Sequence, residues 1–188
     1  MGAVRALILE VDDAMLAERA RLGLDHSDEM WEGVLHLVPA PAQRHGRLQL
    51  ALGHILYDAA LDRGLRIATE IGVYAADDDW RVPDLAVFAP AAASDRGVDG
   101  APLVVVEVRS PGDESVAKIR WYLARGTSFV VLVDRDSLHV EVHTPDGELA
   151  AGGDGLTAIA PLDLRIGSGT ASGSLVVEIA GRRSVIEL

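Results

Sequence analysis

The amino-acid sequence predicts an α/β domain in which a mixed central sheet is flanked by helices. Two uninterrupted apolar runs, at 103–106 and 129–133, are typical of strands that are buried on both faces. The segment between these runs has a helical pattern that ends at Gly126. The strand–helix–strand unit from 103 to 134 is therefore expected to form the centre of the domain.

The length and composition indicate one domain over residues 1–188. A chain of 188 residues can bury a core, and 49% hydrophobic against 24% charged residues exclude a disordered chain. No apolar run reaches the length of a membrane span and no signal-peptide pattern begins the sequence, so we expect a cytoplasmic protein without a membrane partner. The absence of cysteine excludes disulfides and thiolate metal ligands.

The charge balance argues against one class of function. The formal net charge is −12 and the sequence pI is about 4.8. Proteins that bind nucleic acid by neutralising phosphates usually carry a basic surface, so tight non-specific binding is not expected. A local basic groove remains compatible with this composition, and a carboxylate-rich metal site adds negative charge by itself.

The N-terminal part of the chain is predicted to alternate short strands with helices. Asp12 and Asp13 favour a helix start, and Gly64 provides a stop for a long helix with apolar positions at helical spacing. The predicted elements are a strand at 7–9, a helix from Asp12 to about Gly23, a strand at 34–38 stopped by Pro39, and a helix at 42–63.

The rest of the chain is predicted to be rich in strands. Residues 65–74 alternate in polarity as one strand does, and Asp77–Asp79 indicate a solvated turn, because the glycine and glutamate of a calcium loop are missing. The other predicted elements are a strand at 81–88, a small-residue loop at 89–100, a strand at 138–143 that forms a hairpin with the preceding strand, and a hairpin around 175–179 in a β-rich extension at 146–188.

Four charged residues form the candidate site. Asp84 lies on one predicted strand, Glu107 and Arg109 lie two apart on another, and Lys118 lies on the helix that follows. Residues two apart on a strand point to the same side of the sheet, and sequential strands are usually neighbours. Two carboxylates in one pocket can bind Mg²⁺ or Mn²⁺, and a nearby lysine can stabilise charge on a phosphoryl group. This combination is typical of phosphodiester hydrolysis.

Each of these residues also has a simpler interpretation. Glu107 could be one half of a buried ion pair with Arg109, Arg120 or Lys118. Lys118 lies four residues after Glu114, the favourable order for a surface salt bridge on a helix. These alternatives remain open from the residues alone.

Two further patterns involve residues 110–113 and the histidines of the long helix. Residues 110–113, Ser-Pro-Gly-Asp, are interpreted as a capping box with proline at the first helical position. His45 lies near the start of the long helix, close to Arg44 and Arg47, and is a candidate phosphate contact. His45 and His54 are nine residues apart and lie on opposite sides of that helix, so a shared metal site is not expected.

Several separated motifs resemble one protein family. They are Asp-Glu-Met-Trp-Glu-Gly-Val-Leu at 28–35, Pro-Ala-Pro at 39–41 with His45, Pro-Asp-Leu-Ala-Val at 83–87, Val-Glu-Val-Arg-Ser-Pro-Gly-Asp-Glu-Ser at 106–115, and Lys118 with Tyr122 before Val-Leu-Val-Asp at 131–134. Over residues 10–145 the chain resembles the bacterial Uma-two family of restriction endonucleases, within the PD-(D/E)XK nuclease superfamily.

This resemblance implies a restriction-endonuclease-like core, with a four-stranded mixed sheet, an extra N-terminal helix and strand, and a C-terminal β-hairpin. By position, Asp84 and Glu107 match the metal ligands and Glu29 matches an auxiliary acidic residue or third ligand. Arg109 stands where the superfamily has lysine, and Lys118 matches a lysine displaced onto the helix. Because arginine stays protonated, Arg109 could stabilise charge but could not transfer a proton.

The expected function is a Mg²⁺- or Mn²⁺-dependent endonuclease that acts on DNA, as a homodimer by analogy with nucleases that cut two strands. Two other hypotheses remain open. One is a non-catalytic module that keeps the nuclease fold for binding nucleic acid or for assembly. The other is a small-molecule or nucleotide phosphohydrolase that uses the same carboxylates.

Overall fold

The computed structural model describes residues 12–23, 25–38, 40–112, 114–169 and 173–188, which form a mixed α+β structure. The helices are α1 (Asp13–Arg21), α2 (Gln43–Leu61) and α3 (Ser115–Ala124). The first strands are β1 (Glu29–Trp31), β2 (Val34–His36), β3 (Arg66–Thr69), β4 (Val73–Ala76), β5 (Asp79–Arg81), β6 (Leu85–Phe88), β7 (Ala93–Ser94) and β8 (Gly97–Asp99). The remaining strands are β9 (Val104–Arg109), β10 (Phe129–Asp134), β11 (Val140–Thr144), β12 (Gly147–Glu148), β13 (Thr157–Ile159), β14 (Leu164–Ser168), β15 (Ser174–Ile179) and β16 (Arg182–Glu187).

A six-stranded mixed sheet in the order β12-β11-β10-β9-β6-β3 forms the centre of the structure. Strands β9 and β10 are parallel and are joined through α3, as the two apolar runs predict. All other neighbours in this sheet pair antiparallel. The sheet therefore has six strands, two more than the four that the family resemblance implied.

The two faces of the central sheet are covered by different layers. One face packs on α2 and on a four-stranded antiparallel sheet, β13-β14-β15-β16. The other face packs on α3 and on residues of a second six-stranded sheet, β2-β1-β5-β4-β8-β7. Alternate residues of β9 point to opposite layers, so Val104, Val106 and Val108 face α2, whereas Val105 and Glu107 face α3.

Helix α2 follows its sequence pattern closely. Leu48, Leu52 and Leu56 are buried against the central sheet at the predicted helical spacing. Gly64 has a φ of +68° just after the helix, a backbone conformation that glycine adopts without steric cost. Helix α1, with Asp12 as its N-cap, is also where the sequence predicts it.

Two predicted strands are each broken into two. The strand predicted over 65–74 is β3 in the central sheet and β4 in the second sheet, and Glu70, with a φ of +48°, lies between them. The strand predicted over 81–88 is β5 and β6, which also lie in different sheets and are separated by Val82, Pro83 and Asp84. Local alternation of polarity continues across both breaks, so the pattern alone did not predict them.

The predicted solvated turn at Asp77–Asp79 is wrong for its last residue. Asp77 is exposed, but Asp79 is buried and accepts hydrogen bonds from Arg81, Trp121 and Arg125. A carboxylate with three such donors can be buried at a low net cost.

Helix α3 begins later than predicted. Its first residue is Ser115, so Pro111 is not the first helical position, and the Ser110 hydroxyl lies 3.4 Å from the ring of His45. The capping box predicted at 110–113 includes Asp113 and so lies in part outside the described residues. Asp113, Pro39 and the strand predicted at 7–9 lie outside the described residues. The small-residue loop predicted at 89–100 contains a 3₁₀ turn and the hairpin β7–β8.

The predicted hairpins at the C-terminal half are confirmed. Strand β11 pairs antiparallel with β10, and β15 pairs with β16 within the four-stranded sheet. The sequence analysis did not identify β13 and β14, which complete that sheet. Among the helices of the described residues, none is long and apolar enough to cross a membrane.

Candidate active site

Glu107 lies inside strand β9 and is almost completely buried, with 2% of its surface exposed. Its side chain points toward helix α3, where Lys118 Nζ lies 2.9 Å from Oε1. The Tyr122 hydroxyl donates a hydrogen bond to the same oxygen at 2.9 Å. Two donors from successive turns of α3 thus meet the carboxylate that the sequence placed inside an apolar run.

Lys118 joins two carboxylates from different parts of the chain. Its ammonium group lies 3.0 Å from Glu29 Oε1 on β1 as well as 2.9 Å from Glu107 Oε1, and it is 9% exposed. The surface salt bridge with Glu114 that the sequence allowed is not formed. Glu114 instead pairs with His36 at 2.7 Å.

Glu29 is held by donors on both of its oxygens. The Trp31 indole donates to Oε2 at 2.7 Å, and the Val82 backbone N–H donates to Oε1 at 2.8 Å, beside Lys118. Glu29 therefore lies in the site, as the resemblance implies, but in this structure its contacts are those of a counter-ion to Lys118.

Asp84 lies directly before β6, the antiparallel neighbour of β9. Its Oδ2 accepts a hydrogen bond from the Val108 backbone N–H at 2.6 Å, and its Oδ1 lies 2.7 Å from His45 Nε2. The Gln49 side chain of α2 donates to the Asp84 carbonyl at 3.0 Å. Asp84 is thus fixed between the central sheet and the first turns of α2, and His45 contacts it directly.

Arg109 does not join this cluster through its described contacts. Although it lies two residues after Glu107, its guanidinium pairs with Asp134 at 3.3 Å and with Glu141 at 3.2 Å. Asp134 is the residue beside Arg109 in the parallel pair β9–β10, and Glu141 lies on β11. The side chain therefore extends along the sheet toward its neighbours.

The electrostatics of the site follow from burial and from the excess of carboxylates. Burial raises the pKa of Glu107 to about 8, against the opposing charge of Lys118 and with the help of the negative charges of Asp84 and Glu29. Burial alone lowers the pKa of Lys118, but Glu107 and Glu29 outweigh it and raise that pKa above its usual value. Burial and the neighbouring carboxylates likewise raise the pKa of Tyr122, so it remains a donor.

The charge of the donor set matches a divalent cation, but the ligand atoms of the three carboxylates do not all lie within 4.8 Å of one another. When all three are ionised, the carboxylates of Asp84, Glu107 and Glu29 exceed the charge of Lys118 by two, which equals the charge of one Mg²⁺ or Mn²⁺ ion. Hard cations of this kind prefer carboxylate oxygens. Burial is the main cause of the raised pKa of Glu107, and the negative charges of Asp84 and Glu29 add to it.

A separate group of candidate metal ligands lies at the edge of the central sheet. One ligand atom from each of Glu141, His143 and Glu148 comes within 4.8 Å of the others, the one such group found in the part of the chain that the structure describes. These residues lie on β11 and β12, and Glu141 is also paired with Arg109. Exposed groups of this composition are common in proteins without a metal, and the sequence analysis did not single them out.

Comparison with known proteins identifies the family of the chain. A model of the Uma2 family, described as "Putative restriction endonuclease", matches residues 18–167. The match covers most of the chain and includes Glu29, Asp84, Glu107 and Lys118. The chain belongs to the Uma2 family. Membership in Uma2 supports a nuclease, an enzyme that hydrolyses nucleic acid, and extends the region of resemblance beyond the predicted limit at residue 145.

Solved structures support the fold of this Uma2 chain. It is similar to a crystal structure described as a putative nuclease belonging to DUF820 from Anabaena variabilis, with 23% identity and a TM-score of 0.62 over 72% of this chain and 82% of that chain. A complex of DrdV with DNA is 19% identical over 58% of this chain and 10% of that chain, and its TM-score of 0.38 is too low to support an argument. Among curated proteins, none matches the chain significantly.

Two contacts of the site were not predicted from the sequence. Tyr122 belongs to a motif of the family resemblance, but its hydrogen bond to Glu107 was not predicted, although the two donors Lys118 and Tyr122 are four residues apart on one helix face. The contact of His45 with Asp84 was not predicted either. No local signal indicates that contact, because the two residues are 39 positions apart.

Proposed function

We propose that this chain is a divalent-metal-dependent endonuclease that hydrolyses phosphodiester bonds in DNA. The observation that carries the proposal is the placement of Lys118 within 3.0 Å of both Glu29 and Glu107, beside the strand-borne Asp84. Asp84 directly before β6, Glu107 on the neighbouring strand β9 and a lysine from the adjoining helix form a combination that supports phosphodiester hydrolysis. Membership in the Uma2 family supports the nuclease class.

Asp84 and Glu107 are the residues proposed to hold Mg²⁺ or Mn²⁺. The bound cation would supply Lewis acidity and a water molecule of lowered pKa. His45 orients Asp84 through its 2.7 Å contact, and the Val108 N–H fixes the other carboxylate oxygen. The buried carboxylate of Glu107 must release its proton before it can act as a ligand.

Lys118 is proposed to stabilise negative charge that develops on the phosphoryl oxygens. The raised pKa of Lys118 keeps the ammonium protonated at any working pH, so it acts as a fixed positive charge. Glu29 holds that ammonium in place, and Trp31 and the backbone of Val82 hold Glu29 in turn. Glu29 therefore acts through Lys118 in this proposal.

Arg109 is proposed to hold the end of strand β9 in position. Its ion pairs with Asp134 and Glu141 tie the end of β9 to β10 and β11, next to Glu107. A homodimer, which we propose by analogy alone, would supply a second site for cutting the second strand.

A nicking assay tests the proposal. Supercoiled plasmid incubated with the full chain and Mg²⁺ or Mn²⁺ should be converted to open-circular and linear forms, and EDTA should prevent the conversion. Glu107→Gln and Asp84→Asn should each abolish cleavage, because each removes a charge needed to hold the cation. Glu187→Gln, at an exposed position on β16, is the matched control and should cleave as the parent does.

Two results would contradict the assignment. One is cleavage by Glu107→Gln at the parent rate. The other is hydrolysis of small phosphodiesters by the parent chain under conditions where plasmid remains intact, which would favour a phosphohydrolase. Retention of plasmid in a binding assay without cleavage in either metal would identify a non-catalytic module.

A further inference from the structure

An open cleft of about 510 Å³ lies beside the carboxylate pocket. Trp31 of β1 and Arg81 of β5 line it on one side, and Arg120, Trp121 and Arg125 line it from helix α3 and its C-terminal end. Its volume falls within the range of roughly 300–1,000 Å³ that is usual for ligand sites. The sequence analysis assigned no function to these residues beyond a candidate ion pair for Arg120.

The cleft adjoins the proposed catalytic group directly. The Trp31 indole donates a hydrogen bond to Glu29 at 2.7 Å, and Glu29 accepts one from Lys118 at 3.0 Å. Trp121, which lines the cleft, lies three residues after Lys118 on α3, and residues three apart on a helix are neighbours on one face. A ligand bound in the cleft would therefore lie close to the reacting end of Lys118.

Planar groups line this cleft in a continuous series. The rings of His36 and Trp31 stack at 4.1 Å with an interplanar angle of 15°. The guanidinium of Arg81 lies 4.3 Å from the Trp31 ring and 4.6 Å from the Trp121 ring, and that of Arg125 lies 4.1 Å from Trp121. Rings and guanidinium planes are the surfaces on which unstacked nucleobases pack.

The cleft also presents one exposed guanidinium group. Arg81 and Arg125 share one carboxylate, Asp79, and the buried Nε–H of Arg81 has no hydrogen-bond partner among the described residues. Arg120 is exposed and forms no ion pair with any described residue, and Glu32 is the one acidic residue that lines the cleft. Glu114 pairs with His36, so the charge available to a phosphate is chiefly that of Arg120.

We propose that this cleft binds a single-stranded segment of the nucleic-acid substrate next to the bond that is cut. Arg120 and Arg125 contact its phosphates, and a base stacks on the His36 ring at the end of the series. Trp31 lies between His36 and Arg81, and Trp121 lies between Arg81 and Arg125, so the two indoles support the stack from within. Aromatic rings and arginine together bind single strands with little sequence preference, because every base has a face to stack. This inference rests on the proposed nuclease function and names the form of the substrate at its site.

Fluorescence anisotropy with the full chain tests the inference. The probe is a labelled twelve-nucleotide oligo-dT in EDTA, where no metal is present to support cleavage. Arg120→Ala should weaken binding several-fold and reduce the slope of log K against log salt by about 0.7, as expected for the loss of one phosphate contact on a single strand. Arg120→Lys should retain most of the affinity, since it keeps the charge.

Two comparisons control this experiment. Arg183→Ala removes an exposed arginine on β16, in the sheet that packs on the opposite face of the central sheet, and should leave both affinity and slope unchanged. An abasic probe with the same backbone should bind the parent chain about ten-fold or more weakly than oligo-dT, because it cannot stack. Equal effects of Arg120→Ala and Arg183→Ala, or equal binding of the two probes, would overturn the inference.

The outcomes separate this inference from the nuclease proposal. Plasmid cleavage by the parent chain together with unchanged oligo-dT binding by Arg120→Ala would refute strand binding in the cleft and would be consistent with the nuclease proposal. Loss of oligo-dT binding in Arg120→Ala, without plasmid cleavage by the parent chain in Mg²⁺ or Mn²⁺, would support strand binding in the cleft and refute the nuclease proposal. No binding of oligo-dT by the parent chain at low salt would refute the cleft.

Discussion

Glu107→Gln should change how the stability of the metal-free protein depends on pH. In the native state, burial raises the pKa of Glu107 from its ordinary value of 4.5 to about 8. The native carboxyl group thus keeps its proton up to pH 8, whereas the unfolded chain releases it near pH 4.5. Unfolding between these pH values releases one proton, so the free energy of unfolding falls as pH rises across this window.

The magnitude follows from the linkage of one proton. Each pH unit inside the window lowers the free energy of unfolding by about 1.4 kcal/mol, and the contribution is constant below pH 4.5 and above pH 8. For a chain of this size, about 1.4 kcal/mol corresponds to a change in melting temperature of roughly 3–6 °C per pH unit. Lys118 contributes no slope here, because its raised pKa affects stability only above its ordinary value of 10.5.

Thermal and urea denaturation in EDTA at pH 5, 6, 7 and 8 measure this effect. The parent chain should lose stability relative to Glu107→Gln at each step, because glutamine keeps the shape of the protonated side chain and does not titrate. Glu187→Gln, at an exposed position, should follow the parent. Parallel profiles for the parent and Glu107→Gln would show that the pKa of Glu107 is not raised, and would refute the burial argument.

Two other perturbations test the same cluster. Lys118→Met should lower the free energy of unfolding by about 3 kcal/mol or more, since it leaves the buried carboxylate of Glu29 without its cation. Glu114→Ala should change the free energy of unfolding by less than about 0.5 kcal/mol, because Glu114 pairs with His36 instead. Equal urea midpoints for the two variants would contradict this prediction. Mn²⁺ at 100 times its Kd should raise the free energy of unfolding of the parent chain by about 2.7 kcal/mol. Calorimetry should show a higher affinity for Mn²⁺ at pH 8 than at pH 6, where Glu107 keeps its proton. The same affinity at both pH values, or binding to Asp84→Asn with the affinity of the parent, would contradict this prediction.

The central unit of the fold could be predicted because its signals are local. The apolar runs of β9 and β10 and the glycine after α3 each occur within a few residues, and they determine strands and a helix wherever the unit lies. The leucines of α2 likewise repeat at helical spacing. The family resemblance then brought Asp84, Glu107 and Lys118 together, which spacing alone had left as one of several alternatives.

The remainder could not be predicted because it depends on contacts between distant residues. Two of the donors that allow Asp79 to be buried, Trp121 and Arg125, are 42 and 46 positions away. Lys118 forms its ion pair with Glu29, 89 positions away, and not with Glu114, which lies four positions before it. The strand breaks at Glu70 because the residues before and after it pair into two different sheets. The sequence does not show this break, since polarity alternates without interruption through that residue.

The acidic composition of the chain is compatible with a nucleic-acid substrate when the charges of individual sites are considered instead of the net charge. The pocket of Asp84, Glu107 and Glu29 holds three carboxylates and one ammonium group, and a divalent cation would neutralise that difference when all three are ionised. The cleft beside this pocket presents the exposed guanidinium of Arg120, which forms no ion pair with a described residue. A phosphate group at this cleft would meet a positive charge although the chain as a whole is acidic. Net charge therefore limits non-specific binding over the whole surface, but it does not decide whether one strand can bind at one place.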